Sequence, residues 1–325
     1  AQRAMAFFPE ALRHVEGDAH GLPFVLERWQ RALIANLFGW VRRDRLGRVV
    51  RRYRKMLLYV PRKNGKTPLA AGIGLYILFC DPERGQQGYI AAANREQAGF
   101  LFRHAKGMVE AQPALSRAAT IFGGHAPVAQ SRSIVRNADG SFLRVISADG
   151  ETKHGGNLSL GIIDELHAQP NRALVDVLTT SMASAVRPQP LLVFITTADY
   201  DRPSICNETY DYAVKVRDGV LDDPTFLPVI YEAPRDADWT SPRVWRAANP
   251  NFGVTVSEDY LRAECLHAQQ EPAFENEFRR LHLNLRTEQA ERLIPMDQWD
   301  AASAADWLGE FEGLPCWAGL DLSTV

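Results

Sequence analysis

The shortages of this chain are informative. Cysteine is scarce: the four residues Cys80, Cys206, Cys265 and Cys316 lie far apart. They lack the paired spacing of a metal knuckle or a disulfide framework, so reduced and mostly buried thiols are expected. Long apolar runs are missing. The longest, PLAAGIGLYILFC at 68–80, has 13 residues, whereas a bilayer-spanning helix needs about 20. No basic segment followed by an apolar one opens the chain, so no secretory leader and no membrane role are expected. The first residue is Ala1 rather than Met, as in a processed chain or a fragment. A surplus of charge is lacking too: 37 Lys and Arg face 39 Asp and Glu, for a net −2. Taken whole, that balance argues against a strongly basic nucleic-acid binder. Repeats and low-complexity tracts are absent. With 325 residues, 46% of them hydrophobic, there is material for a sizeable core and about two domains.

The charge is unevenly placed. Residues 287–325 hold one base, Arg292, against eight acids, while residues 1–286 hold 36 bases against 31 acids, a surplus of +5. Eight of those bases fall in RRDRLGRVVRRYRK at 42–55. This run reads either as a solvated hairpin with Val49 and Val50 turned inward, or as an edge whose Arg51, Arg52 and Arg54 contact phosphates.

From 56 to about 198, short apolar runs alternate with helical stretches. MLLYV (56–60) ends at a Pro/Gly-containing loop and predicts a strand buried on both faces. GYIAAAN (88–94), LRVIS (143–147), LSLGII (158–163) and PLLVFITTA (190–198) are further strand candidates. The stretch 68–80 suits a buried helix, and 95–111 has helical apolar spacing. Strands alternating with helices predict an α/β doubly wound domain with a mainly parallel sheet. After 199, Pro and Asp become frequent and helical segments follow, one of them opening at Thr255–Glu258 with capping-box spacing. The expected division is a core at 1–199, a helical subdomain at 200–290, and an acidic linker with the start of a new strand at 291–325.

Four constellations carry chemistry. VPRKNGKT (60–67) lies between a strand and an uncharged helix. A phosphate loop, G-x-x-x-x-G-K-[ST], cradles phosphates on its backbone N–H groups, reaches them with Lys and ligates Mg²⁺ through its hydroxyl. Gly65, Lys66 and Thr67 match this pattern, but Val60 stands where the first Gly belongs. Alone, G-K-T is weak, and a surface turn with two lysines would read the same. LSLGIIDELHA (158–168) ends an apolar strand in Asp164 and Glu165, the expected partner of such a loop: Asp for the metal, Glu for the attacking water. Without the loop the pair would read as a helix N-terminus. PLLVFITTAD sets Thr196 and Thr197 at the end of a buried strand, as a phosphate sensor or as a strand end with a cap. Finally, FVLERWQRALIANLFGW (24–40) is an amphipathic helix carrying Trp29 and Gln30. Its glutamine amide could pair with adenine or simply face solvent.

In order and spacing these features resemble the large terminase subunit of tailed bacteriophages, the motor that packages DNA into the procapsid. The resemblance also rests on SADGETKHGGNLSLGIIDELH, TTA (196–198), WRAANPNFG (245–253), FRRLHLNL (278–285), IPMDQWD (294–300) and GLDLS (319–323). A loop with Arg-Lys inside and no leading Gly is itself typical of these motors, whereas Arg286 stands where close relatives have Trp. The resemblance implies a P-loop, RecA-like ATPase with an appended helical linker subdomain. It implies that Arg62, Lys63, Asn64, Gly65, Lys66 and Thr67 bind ATP, and that Thr67 and Asp164 hold Mg²⁺. Glu165 would be the catalytic carboxylate, with Arg62 beside it as a cis-acting arginine for which Lys63 competes. Thr196, Thr197 and Ala198 would couple hydrolysis to movement, and Gln30 would read adenine. A neighbour in a ring would supply a further arginine, with Arg132, Arg136 and Arg144 as candidates.

The implied partners are double-stranded DNA, the portal protein and the small terminase subunit. The chain is expected to be a monomer in solution and a homo-oligomeric ring when docked, acting in the cytoplasm of the bacterial host. The parent's nuclease would be an RNase-H-like domain using divalent metal, and Asp321 matches the acid of its first strand. With four residues after Asp321, the chain as given is expected to lack nuclease activity. A helicase-type ATPase, a nucleotide-dependent docking protein without turnover and a small-molecule kinase are the rival readings. The helicase would need a second lobe, for which 200–325 is short and rich in Pro and acids.

Overall fold

A computed structural model of the chain describes residues 1–123, 132–147, 157–184 and 186–288. In chain order the elements are α1 (Gln2–Ala11), α2 (Arg28–Gly39), β1 (Val41–Arg43), β2 (Val49–Arg51), β3 (Lys55–Tyr59), α3 (Lys66–Cys80), β4 (Gln87–Ala92) and α4 (Arg95–Ala111). Then come α5 (Pro113–Ala118), β5 (Ala119–Phe122), β6 (Ser133–Arg136), β7 (Phe142–Ser147), β8 (Leu160–Asp164), α6 (Ala173–Thr180) and β9 (Leu191–Thr196). The described part ends with α7 (Ile205–Arg217), β10 (Phe226–Ile230), α8 (Pro242–Ala248), α9 (Glu258–Gln270) and α10 (Pro272–His282).

Eight strands form one sheet in the order β10-β3-β9-β8-β4-β7-β6-β5. The first five pairings are parallel, and β7-β6 and β6-β5 are antiparallel. The central strands β3, β8 and β9 are buried along almost their whole length, which is why they read as unbroken apolar runs rather than alternating ones. Helices cover both faces. One core packs α1, α2, α3 and α4 against the sheet, and a second packs α6 and α7 against the other face. α3 is buried on nearly every side, as its lack of charge beyond Lys66 requires. α8, α9 and α10 enclose a third core around Trp245, Leu261 and Phe278.

The expected α/β sheet is present, but the boundary at 199/200 is not where the structure divides. α7 packs on the sheet and β10 pairs with β3 in parallel register, so residues up to 230 belong to the α/β layer. Ala1–Glu288 form one compact unit. The helical part proper is α8 to α10. α9 starts later than expected: its cap is Ser257, which accepts from Tyr260 N–H, not Thr255. The 291–325 segment and Asp321 lie outside the described residues.

The basic run at 42–55 does form a hairpin, β1 against β2. Val50 is buried (3% exposed), but Val49 is not (61%). Arg51 is the larger correction. It is 6% exposed, its Nη1 lies 3.3 Å from Asp81 Oδ2, and its backbone N–H donates to Gln189 Oε1 at 3.0 Å. A guanidinium committed inward cannot grip phosphates at the surface. Arg52 donates to Pro224 C=O at 2.8 Å and stacks over Trp40 and Tyr53. Arg54 is half-buried, and burial lowers its pKa to about 10. The exposed bases of the hairpin are Arg42, Arg43, Arg45 and Arg48.

Candidate active site

The loop 60–67 leaves the carboxyl end of β3 and enters α3. Val60 is fully buried, and its N–H donates to Thr196 C=O at 3.1 Å. The position that usually holds a glycine here extends the sheet ladder by one step, and a buried β-branched residue suits that task. Lys63 (φ +65°) and Gly65 (φ +76°) are both left-handed, a backbone alternation that gathers N–H groups into an anion-binding concavity. Gly65 caps α3, so the helix N-terminus and its partial positive charge open on the same space.

The loop is fixed from behind by asparagines. Asn64 is fully buried, its Nδ2 donating to Asn249 Oδ1 at 2.7 Å and its Oδ1 accepting Asn251 N–H at 3.0 Å. Asn251 Nδ2 donates to Asn64 C=O at 3.1 Å, and Trp29 Nε1 donates to Asn251 Oδ1 at 2.6 Å. Thr255 Oγ1 donates to Lys63 C=O at 2.5 Å, and Arg62 N–H donates to Leu281 C=O at 2.9 Å. Asn249 and Asn251 come from WRAANPNFG, whose residues had no role assigned from sequence. The only signal was a pair of amide side chains two apart in an otherwise unexplained turn.

In front of the loop lie two adjoining cavities of about 550 and 340 Å³, the size of small-ligand sites. Both are lined by Arg62, Thr67, His104 and Glu165; the larger also by Lys63, Gly65 and Lys66, the smaller by Asp164 and His167. Lys66 Nζ lies 3.3 Å from Glu165 Oε1. Glu165 adopts a left-handed backbone (φ +50°) directly after β8, a conformation costing a non-glycine residue about 1–3 kcal/mol. Asp164 is buried, with Oδ1 lacking any partner. Burial, with Glu165 adjacent, pushes its carboxyl up to about 7 against the pull of Lys66. A cation at this carboxylate would offset both its burial and the repulsion of Glu165, so Asp164 with the Thr67 hydroxyl fits a divalent metal. No group of three or more His, Cys, Asp or Glu among the described residues could hold a metal on its own.

Three sets of expected site residues line neither cavity. Gln30 is 3% exposed and lines neither cavity. It closes a capping box in α2, its Oε1 accepting Glu27 N–H at 2.9 Å, and a Cβ built at Gly65 would lie 3.7 Å from its Nε2. Pairing both amide groups with a base would break that cap. Thr196 and Thr197 are fully buried behind the cavities rather than in their walls. Ala198 N–H donates to Asn284 Oδ1 at 2.8 Å, joining this strand end to the turn after α10. Of the arginine candidates, Arg136 is committed internally, to Asp139 (Nε at 2.8 Å) and to Leu78 C=O (2.7 Å). Arg144 stacks on Phe142 at 4.5 Å. Arg132 packs on Gly99 of α4 and makes no ion pair among the described residues. Arg286 covers the Tyr210 ring and pairs with Asp211, an aromatic-stacking role a Trp could also fill.

A phosphate loop after one strand of a mainly parallel sheet, with an Asp-Glu pair ending another strand two places along, defines a P-loop nucleotide-binding protein. The chain matches two family models, "Terminase large subunit, ATPase domain" over residues 28–215 and "Terminase large subunit, endonuclease domain" over 220–325. It belongs to the terminase large subunit family. It is 31% identical over 303 residues to the terminase large subunit of Enterobacteria phage HK97, a match covering 92% of this chain and 56% of that protein. The crystal structure of the HK97 large terminase superposes with a TM-score of 0.74 at 29% identity, covering 92% of this chain and 58% of the other. The Thermus phage P74-26 large terminase ATPase domain, in a point-mutant form, gives 0.54 at 17% identity, covering 81% and 95%, and shares the fold. The chain thus spans little more than half the length of the HK97 relative.

Proposed function

We propose that this chain is the ATP-hydrolysing motor part of a phage large terminase, moving double-stranded DNA into the procapsid. The observation that carries this is the meeting of Lys66 and Glu165 at 3.3 Å on one cavity wall. A phosphate-binding lysine and a carboxylate free to orient water are what in-line attack on a terminal phosphate requires. Bound phosphate competes for Lys66, so ATP would draw the lysine off Glu165 and free the carboxylate for water. Arg62, exposed on both cavities, would stabilise charge on the transferred group. Asp164 and Thr67 would hold Mg²⁺, which neutralises charge developing on the phosphates. Gln30, capped on Glu27 N–H, would read adenine only by giving up that bond. In a homo-oligomeric ring a neighbour would add an arginine, with Arg132 and Arg144, which make no ion pair among the described residues, as the candidates.

The partners we propose are DNA, gripped through its phosphates because a motor must accept any sequence, the portal protein and the small terminase subunit, in the host cytoplasm. The longer protein would add a metal-dependent nuclease. A docking protein without turnover gives Glu165 no role, and a helicase would need a second lobe. Phosphate release, measured with and without DNA, tests the reading. Glu165→Gln should lower turnover by about 10²-fold or more while a fluorescent ATP analogue still binds. Turnover unchanged in that variant would move the base elsewhere.

A further inference from the structure

His167 is a partly buried imidazole on the wall of the smaller cavity, to which that reading gives no task. It sits in a single helical turn, 166–168, just past the strand-end acids. Its backbone N–H donates to Thr196 Oγ1 at 3.1 Å, and its ring Nδ1 lies 3.0 Å from the same oxygen. The same Nδ1 lies 3.2 Å from Glu165 Oε2, a buried oxygen with no aligned hydrogen bond.

Counting protons assigns the roles. The single hydroxyl proton of Thr196 is given to Thr197 C=O at 2.8 Å, so Oγ1 accepts from the ring. A carboxylate oxygen also only accepts. The proton among these three atoms therefore belongs to Nδ1. Burial lowers the pKa of the ring, outweighing the opposing pull of Glu165; Lys66, Asp199 and Arg280 are the other charged groups acting on it. The ring is neutral, with one N–H facing two acceptors.

We infer that His167 is a positioning residue for Glu165, passing a single N–H between the carboxylate and Thr196. With Lys66 on Oε1, the N–H points at Thr196. When phosphate takes Lys66, Oε2 turns to the same N–H, and Thr196 loses its ring partner. Thr196 also holds Val60 of the phosphate loop through its C=O, and Ala198, two residues on, reaches Asn284. The orientation of the catalytic carboxylate is thereby felt at the strand end although no threonine of that strand touches the cavity. This inference rests on Glu165 as the water-orienting base.

Side-chain mimicry provides the test. The amide N–H of Asn can occupy the place of Nδ1, whereas that of Gln reaches the place of Nε2. His167→Ala should lower kcat about 10- to 100-fold with KM within about threefold. His167→Asn should recover most of the loss and His167→Gln little of it. Wild-type kcat in His167→Ala, or equal rates for Asn and Gln, would overturn the inference. Binding of a fluorescent ATP analogue identifies any variant that fails to fold. For that case, long-range proton–nitrogen NMR of the wild-type ring decides: a proton on Nδ1 is expected, and one on Nε2 overturns it. Absence of turnover in the wild type would sink the motor reading itself, a result distinct from any His167 outcome, and would take this inference with it.

Discussion

Asn64 Nδ2 donates to Asn249 Oδ1 at 2.7 Å, joining the middle of the phosphate loop to the end of α8, 185 residues later. Together with the contacts of Asn251, Thr255 and Leu281, this bond makes the helical part of the chain the back wall of the loop. A subdomain that swung against the sheet alone would tear these bonds.

Asn249→Ala removes the partner of Asn64 and two donations, to Trp245 C=O (2.9 Å) and His282 C=O (2.8 Å). Leaving buried polar groups unmet costs about 1–3 kcal/mol each, partly relieved by water. A loss of about 2–3 kcal/mol in urea unfolding is expected, with nucleotide affinity falling alongside. An unchanged midpoint would show that the bond is not structural.

His282 supplies a pH dependence. Burial, with Arg62 opposite, lowers its pKa from 6.5 to about 4. The unfolded chain takes up a proton below about 6.5 and the folded chain only below about 4. Stability from the neutral ring is thus complete above about 6.5 and lost as pH falls towards about 4, by at most roughly 3 kcal/mol. Melting temperatures at about pH 7 and about pH 4.5 should differ more in the wild type than in His282→Gln. Equal differences would assign the slope to other groups.

Arg51 and the exposed hairpin arginines should separate cleanly. Arg51→Ala leaves the buried Asp81 carboxylate without its ion-pair partner, and breaking a buried pair costs about 3–5 kcal/mol, read by chemical unfolding. Replacing Arg42, Arg43 and Arg45 should leave stability nearly unchanged. If the hairpin grips DNA, that change lowers the salt slope of affinity by about 0.9 for every phosphate the protein no longer neutralises, and an unchanged slope would return the hairpin to solvent.

Two glycines of α3 offer a paired test of packing. A Cβ at Gly72 would overlap the Phe8 ring, whereas one at Gly74 would sit 3.2 Å from Leu143 Cδ2. Alanine gains up to about 1 kcal/mol in helix propensity, and overpacking costs about 1–3 kcal/mol. Gly72→Ala should therefore destabilise, and Gly74→Ala should be near neutral in thermal unfolding.

The central strands and α3 were legible because burial on both faces writes continuous apolar runs, α4 because its apolar residues recur at helical spacing, and the phosphate loop because its residues must be consecutive. β10 was not. It is an edge strand, and Pro228 within it is tolerated because a ladder is needed on one side only; in sequence that proline reads as a break. The roles of Asn64, Asn249 and Asn251 were equally hidden, since they depend on distant residues meeting. The capping role of Gln30 was hidden as well, because its partner, the N–H of Glu27, is backbone and leaves no mark in the sequence.

Asn64 precedes Gly65, a dipeptide that ages in a loose chain: the glycine backbone nitrogen attacks the asparagine side-chain carbonyl carbon, ammonia leaves, and water opens the resulting cyclic imide to an acid. Ring closure needs a free side chain and a swivelling backbone. Here Oδ1 is held by Asn251, Nδ2 by Asn249, and Gly65 is fixed as the cap of α3. The bonds that shape the loop therefore also preserve it chemically, and the chain's age would be recorded at Asn64 only during time spent unfolded.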